Sequence, residues 1–229
     1  MSDGALDRLK VKVASLPIEI GAYVHVMEAL GIGGYRDEEL GRSGAIDYGE
    51  EHFTCFQFDY DWRRDNVENA RLLHEFIQEK RVYVQTERAK RYGVKESDVK
   101  FDLVTHSMGG LLVRYYLRYG SAELPADEQT PEPTWMGAQY VERAILVGPP
   151  NAGSVSALVQ LVQGRKFGPT LPRYEPGLLG TMPAIYQLLP RGRHGALVDV
   201  GNPERQVEDI LSPGLWEDMG WGLAASAQD

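Results

Sequence analysis

The sequence predicts an α/β fold with a mostly parallel sheet, on three observations. Stretches of strand character alternate with stretches of helical spacing across residues 52–150, in the order strand, helix, strand, helix, strand. Two short runs, FDLV at 101–104 and AILV at 144–147, are almost wholly apolar, the pattern of strands covered on both faces. Between a strand and the helix that follows it stands VTHSMGGLL (104–112), with Ser107 at the turn.

The elements follow in order. AYVHVMEALG (22–31) reads as a short helix ending at Gly31. HFTCFQFDYDW (52–62) alternates large apolar with smaller or polar residues and reads as a strand ending near Asp59. Residues 66–93 carry apolar side chains at helical spacing and stop at Gly93. VKFDLVTH (99–106) is a strand, and MGGLLVRYYLRYG (108–120) a helix closed by Gly120. Residues 121–139 are polar and Pro-rich, a surface loop; YVERAILVGPP (140–150) is a strand halted by two prolines. Residues 163–203, rich in Gly, Pro and Arg, break the pattern and read as an excursion over the end of the sheet. The last stretch, from Glu204, reads as short helical pieces with two tryptophans. One domain is expected over 1–229, with a core at 16–150 and a cap-like or lid excursion at 151–229.

Charge and composition narrow the function. A formal net charge of −9 argues against nucleic acid as the main partner and against an anionic membrane surface. No run approaches the roughly 18 apolar residues a membrane span requires, so no transmembrane segment is expected. The opening MSDGALDRLKVKVAS lacks a basic head followed by a long apolar run, so no signal peptide is expected. Cys55 is the one cysteine and cannot form an internal disulfide; it fits a reducing compartment, and a cytoplasmic location is expected.

A hydrolytic serine has a mechanical requirement that this turn can be tested against. The nucleophile sits on a sharp turn between a buried strand and a helix, with small neighbours two before and two after. Those neighbours are Thr105 and Gly109; threonine is the larger departure, and Gly110 lets the helix pack closely. The helix N-terminus would aim its N–H groups at the site, with the Met108 N–H as an oxyanion donor. The competing reading makes Ser107 an ordinary helix N-cap, since serine is a favoured cap. His106, one residue before, points the other way along the strand. It is expected beside the substrate site, not as the base.

These residues resemble the lecithin:cholesterol acyltransferase-like lipases. HSMGGLLVRYYL is preceded by FQFDYDWRRDNVENA, whose YDWR (60–63) is similar to a family segment. LVGPPNAGS (146–154) resembles the strand and small-residue turn after the elbow, and MPAIYQLLP (182–190) a further family segment. PIEIGAYVHVMEALGIGGY (17–35) resembles the helix leading to YDWR. The resemblance covers about 16–220 and implies a three-layer α/β-hydrolase sandwich. It also implies acyl-ester or lipid substrates, a Ser107 acyl-enzyme resolved by water or an alcohol, and no metal or organic cofactor. A partial copy is expected, without the first and last strands and without a Gly-rich loop before residue 16.

The partners of Ser107 are the open question. Triad order in this fold is Ser, acid, His, and His194 is the one histidine after Ser107. Asp127 is the formal acid, while Asn151 stands where some hydrolases keep a carboxylate. His25, His52 and His74 precede the elbow and are expected in structural roles. Asp61 and Trp62, at the end of the YDWR strand, either shape the substrate pocket or form, with Arg63, a buried ion pair and packed anchor. LLGTMPAIYQLLP lines an acyl tunnel or lid, is a core segment, or is both at once. Trp216 and Trp221 are expected in the core in preference to a transient lipid interface. The function expected is a serine lipase, esterase or O-acyltransferase; the alternative is an incomplete, non-catalytic hydrolase-like chain.

Overall fold

The computed structural model describes residues 8–13, 16–21, 23–95, 97–126, 131–166, 172–198, 200–202, 204 and 210–227. The elements are β1 (Arg8–Val13), β2 (Leu16–Gly21), α1 (Val24–Ile32), α2 (Glu38–Arg42), α3 (Asn66–Tyr92), β3 (Phe101–His106) and α4 (Met108–Tyr119). Then come β4 (Val141–Val147), α5 (Val155–Gln163), β5 (Arg165–Lys166), β6 (Arg173–Tyr174), α6 (Pro176–Gly180), α7 (Pro183–Gln187) and α8 (Pro213–Met219). Single 3₁₀ pieces lie at Ala138–Tyr140, Gly192–His194 and Gly222–Ala227. The backbone divides into two compact units, Met1–Asp61 with Leu72–Phe101, and Trp62–Arg71 with Asp102–Asp229.

In the first unit β1 and β2 form an antiparallel hairpin, registered from Val13 opposite Leu16 to Arg8 opposite Gly21. The alternating RLKVKV accounts for the first strand. The stretch 17–35 is therefore not one helix: it is strand up to Gly21 and helix only from Val24. The expected strand at 52–59 is also corrected, since its one ladder contact is a bridge of Cys55 to Asp37. The reason is local. Residues 36–38 pair with it through Cys55 N–H to Arg36 O (2.9 Å) and Glu38 N–H to Cys55 O (3.0 Å), and α2 then begins at Glu38. A partner that coils at once cannot extend a ladder.

Aromatic and ionic contacts hold this unit beside the buried Leu73, Ile77 and Val99. Phe53 stacks on Tyr83, Phe56 meets Tyr83 edge-on, and Phe58 packs against Phe76, so the segment lies along α3 by its rings. Lys80 on α3 is buried, 2.7 Å from Glu38 and 2.9 Å from Glu79, above the rings of Phe56 and Phe76. Asp37 caps α2 by accepting from Leu40 N–H (2.9 Å) and also accepts from Gln57 (2.8 Å). Burial, with the Asp37 charge beside it, pushes the Cys55 thiol up to about 12.

In the second unit β3 and β4 are neighbours. Thr105 hydroxyl to Ile145 O (3.4 Å) and Ser107 N–H to Val147 O (2.9 Å) advance together along both chains, which makes the pair parallel. The sheet has these two strands among the described residues, so a three-layer sandwich is not displayed. The apolar runs are not covered on both faces either: Val104, Ile145 and Val147 are 47%, 51% and 49% exposed. Such runs are covered only where helices pack on both faces of the sheet, and among the described residues these side chains are not so covered.

The core of this unit lies instead in the excursion. Ala157, Leu158 and Leu161 of α5 pack with Leu179, Ile185, Leu189, Ile210 and Trp216. LLGTMPAIYQLLP thus contributes Leu179, Ile185 and Leu189 to the core, from α6, α7 and the residues just after α7. Trp216 donates to Ile210 O and meets Tyr186 and Trp221 edge-on, so both tryptophans pack inward. Helix α5 goes beyond the sequence expectation; Ser154 caps it, accepting from Ala157 N–H at 3.3 Å. Among the described residues no helix is long and apolar enough to cross a membrane.

Candidate active site

Ser107 takes φ 53°, ψ −125°. This region is open to glycine and strained for a residue with a Cβ. Gly120, at the far end of the same helix, takes nearly the same conformation, φ 63°, ψ −124°, without that cost. An N-cap serine adopts β-region angles and accepts from an N–H of the first turn. Ser107 does neither: its angles are positive in φ and its side chain makes no capping bond. The hydroxyl is left exposed at the start of α4, whose first amide, Met108 N–H, has no intrahelical acceptor. The helix dipole favours negative charge at this point.

Close packing holds the turn. A Cβ on Gly110 would stand 2.7 Å from Pro149 Cβ, so α4 lies against the turn after β4 only because residue 110 has no side chain. Thr105, the departure from a small residue, turns its hydroxyl to the Ile145 carbonyl of β4 at the limit of hydrogen-bond length. The 149–154 turn is fixed in its own right. Ser154 N–H donates to Leu188 O at 2.7 Å, and a Cβ on Gly153 would stand 2.4 Å from Pro190 Cα. Gln187 at the end of α7 accepts from Asn66 N–H (3.0 Å) and donates to Asp65 (2.9 Å), tying α7 to the start of α3. Parts of three of the stretches that carry the sequence resemblance thus meet: residues 62–66, the 149–154 turn and residues 183–190.

Trp62 is half exposed and lines a cavity of about 260 Å³ with Ser154, Ala157, Leu179, Ile185 and Leu188. A second groove of about 380 Å³ runs between Arg63, Arg64, Asp65 and Glu68 on one side and Leu178, Thr181, Met182 and Pro183 on the other. Trp62 and Arg63 are both exposed, so the tryptophan is not a buried anchor. Asp61 is half-buried at the end of the first unit's chain segment, and His106 is exposed at the end of β3. His194 is exposed in a 3₁₀ turn, its Nε2 facing Arg193 Nε at 3.3 Å; no hydrogen bond joins it to Ser107. Asp127 lies outside the described residues. Asn151 sits beside the Arg114 guanidinium, which donates to its side-chain oxygen. Among the described residues no group of three His, Cys, Asp or Glu could hold a metal ion.

The sequence reading missed Gln187 as the clamp on α3 and the second strained residue, Trp135 (φ 55°). Gln187 had a faint signal in principle, a polar residue at the end of an apolar run, but its partner Asp65 is distant in sequence.

The family model of lecithin:cholesterol acyltransferase matches residues 45–210, more than half of the chain. The chain belongs to this family. No curated protein and no solved structure matches it. The lecithin:cholesterol acyltransferase match spans the serine turn, Trp62, the 149–154 turn and α5 to α7. The family is one of hydrolases and acyltransferases acting on lipids, and its fold is that of the α/β hydrolases.

Proposed function

We propose that this chain is a serine-dependent lipase, esterase or O-acyltransferase acting on lipid or other acyl esters, on an α/β-hydrolase sandwich. The observation that carries the reading is the strained Ser107 backbone without a capping bond, which an ordinary helix start has no use for. Ser107 Oγ attacks the ester carbonyl and loses its proton to a base. The tetrahedral oxyanion is held by Met108 N–H, and the C–O bond breaks as the alcohol leaves with a proton. Water or an acceptor alcohol then takes the acyl group from Oγ. His194 is the base and Asp127 the acid this reading assigns, with Trp62, Asp61 and His106 contacting substrate.

One observation favours a second reading, a catalytically incomplete chain: the His194 ring is exposed and bonded to Arg193, not to the serine. Loss of a triad member costs on the order of 10⁴-fold in rate or more. Hydrolysis of p-nitrophenyl esters by the purified chain, run beside Ser107→Ala, separates the two. The expected result is turnover that Ser107→Ala removes. Turnover that survives the substitution sinks the elbow reading, and a folded chain with no turnover favours the incomplete one.

A further inference from the structure

Among the described residues two that are not glycine have positive φ, Ser107 and Trp135, and both belong to the framing of α4. Ser107 precedes the helix. Trp135 closes its other end, its N–H donating to Arg118 O at 2.7 Å, with the Thr134 hydroxyl on the same carbonyl at 3.3 Å. The approach is tight: a Cβ on Gly137 would stand 2.0 Å from Tyr116 O, and one on Gly120 3.2 Å from Met136 Cβ. Trp135 is 56% exposed, so burial does not explain its strained backbone. Its ring lies 6.0 Å from the Arg118 guanidinium, a stack that this backbone turn makes possible.

From Trp135 the chain runs through the 3₁₀ piece Ala138–Tyr140 into β4, whose last carbonyl, Val147 O, takes the Ser107 N–H. Helix, return loop and strand therefore form one closed frame, pinned at Trp135–Arg118 and at Ser107–Val147. We propose that Trp135 is a positioning residue: its strained turn sets the register of α4 against β4 and so holds the Ser107 turn. The inference rests on the reading of Ser107 as nucleophile for its chemical consequence, but not for the mechanical coupling itself.

The test uses the full chain, a serine-directed fluorophosphonate and amide hydrogen exchange. Trp135→Gly keeps the positive φ without strain and is expected to label Ser107 within about twofold of the unaltered chain. Trp135→Val, which cannot hold that angle, and Gly137→Ala, whose methyl meets Tyr116 O, are expected to label at least tenfold more slowly per folded molecule. In both, the Ser107 amide should exchange at least tenfold faster. In the unaltered chain, the Ser107 and Trp135 amides are expected to open together as urea is raised below the unfolding midpoint. This measurement stands whether or not the variants fold. Separate openings, or wild-type labelling and exchange in folded Trp135→Val and Gly137→Ala, overturn the proposal. An unaltered chain that does not label overturns the nucleophile reading instead, and the exchange comparison still decides the coupling.

Discussion

At position 107 a serine holds angles that glycine holds at position 120. If the strain belongs to the Cβ, Ser107→Gly releases it and Ser107→Ala does not. Urea melts should therefore place Ser107→Gly above Ser107→Ala by about 1 kcal/mol, against the usual penalty for glycine. Equal stabilities would mean the turn is not strained. The position of this residue was legible from sequence because a strand, a serine and a small-residue helix follow one another directly. Its angles were not, and neither were those of Trp135: residue type does not encode φ, and Trp135 stands in a polar loop with no periodic pattern around it. His194 was chosen by elimination, from its place after Ser107. Burial and partners decide a base, and sequence order carries neither.

At the scale of elements, α3, β3, α4 and β4 were legible because their periodicity is set by their own side chains. The stretch 52–59 was not, because strand identity depends on the neighbour. The alternation is real, but its partner turns into α2 after three residues. The hairpin β1–β2 shows the reverse: RLKVKV carries the alternation plainly in a stretch read only for a leader segment. The packing of α4 gives a sharp expectation. Gly110→Ala places a methyl 2.7 Å from Pro149 Cβ and should cost about 1–3 kcal/mol in thermal or chemical unfolding. Wild-type stability would mean that α4 and the 149–154 turn separate freely, and the elbow would lose its support.

At the scale of the whole molecule, each unit has its own source of stability. In the second it is the apolar cluster around Leu161, Leu179 and Trp216; in the first it is aromatic rings and a buried ion pair beside the buried Leu73, Ile77 and Val99. Burial alone would lower the Lys80 pKa, but hydrogen bonds and charge from Glu38 and Glu79 outweigh it and raise the value. A raised lysine contributes stability below its unfolded value of about 10.4 and loses it as pH climbs through the folded value. Lys80→Met, which leaves the buried Glu38 carboxylate with Arg42 as its remaining partner, should cost about 1–3 kcal/mol at neutral pH. The gap from wild type should hold to about pH 10 and close above it; a gap independent of alkaline pH would show that the charge of Lys80 is not what matters. The sequence carried the order of α and β elements across 66–147 because that pattern is local, and it carried the family because the segments that resemble it are short and local too. It left the place of LLGTMPAIYQLLP open, since that run is apolar whether it lines a tunnel or fills a centre, whereas the two tryptophans were expected in the core and pack there. The clamp between Gln187 and Asp65 joins positions 122 apart in sequence, and that span has a consequence in time. A ribosome makes the serine turn first and Gln187 eighty residues later, a delay of roughly 4–16 s at the usual pace of synthesis. Through that interval the nascent chain carries the serine turn before the Gln187–Asp65 clamp can form.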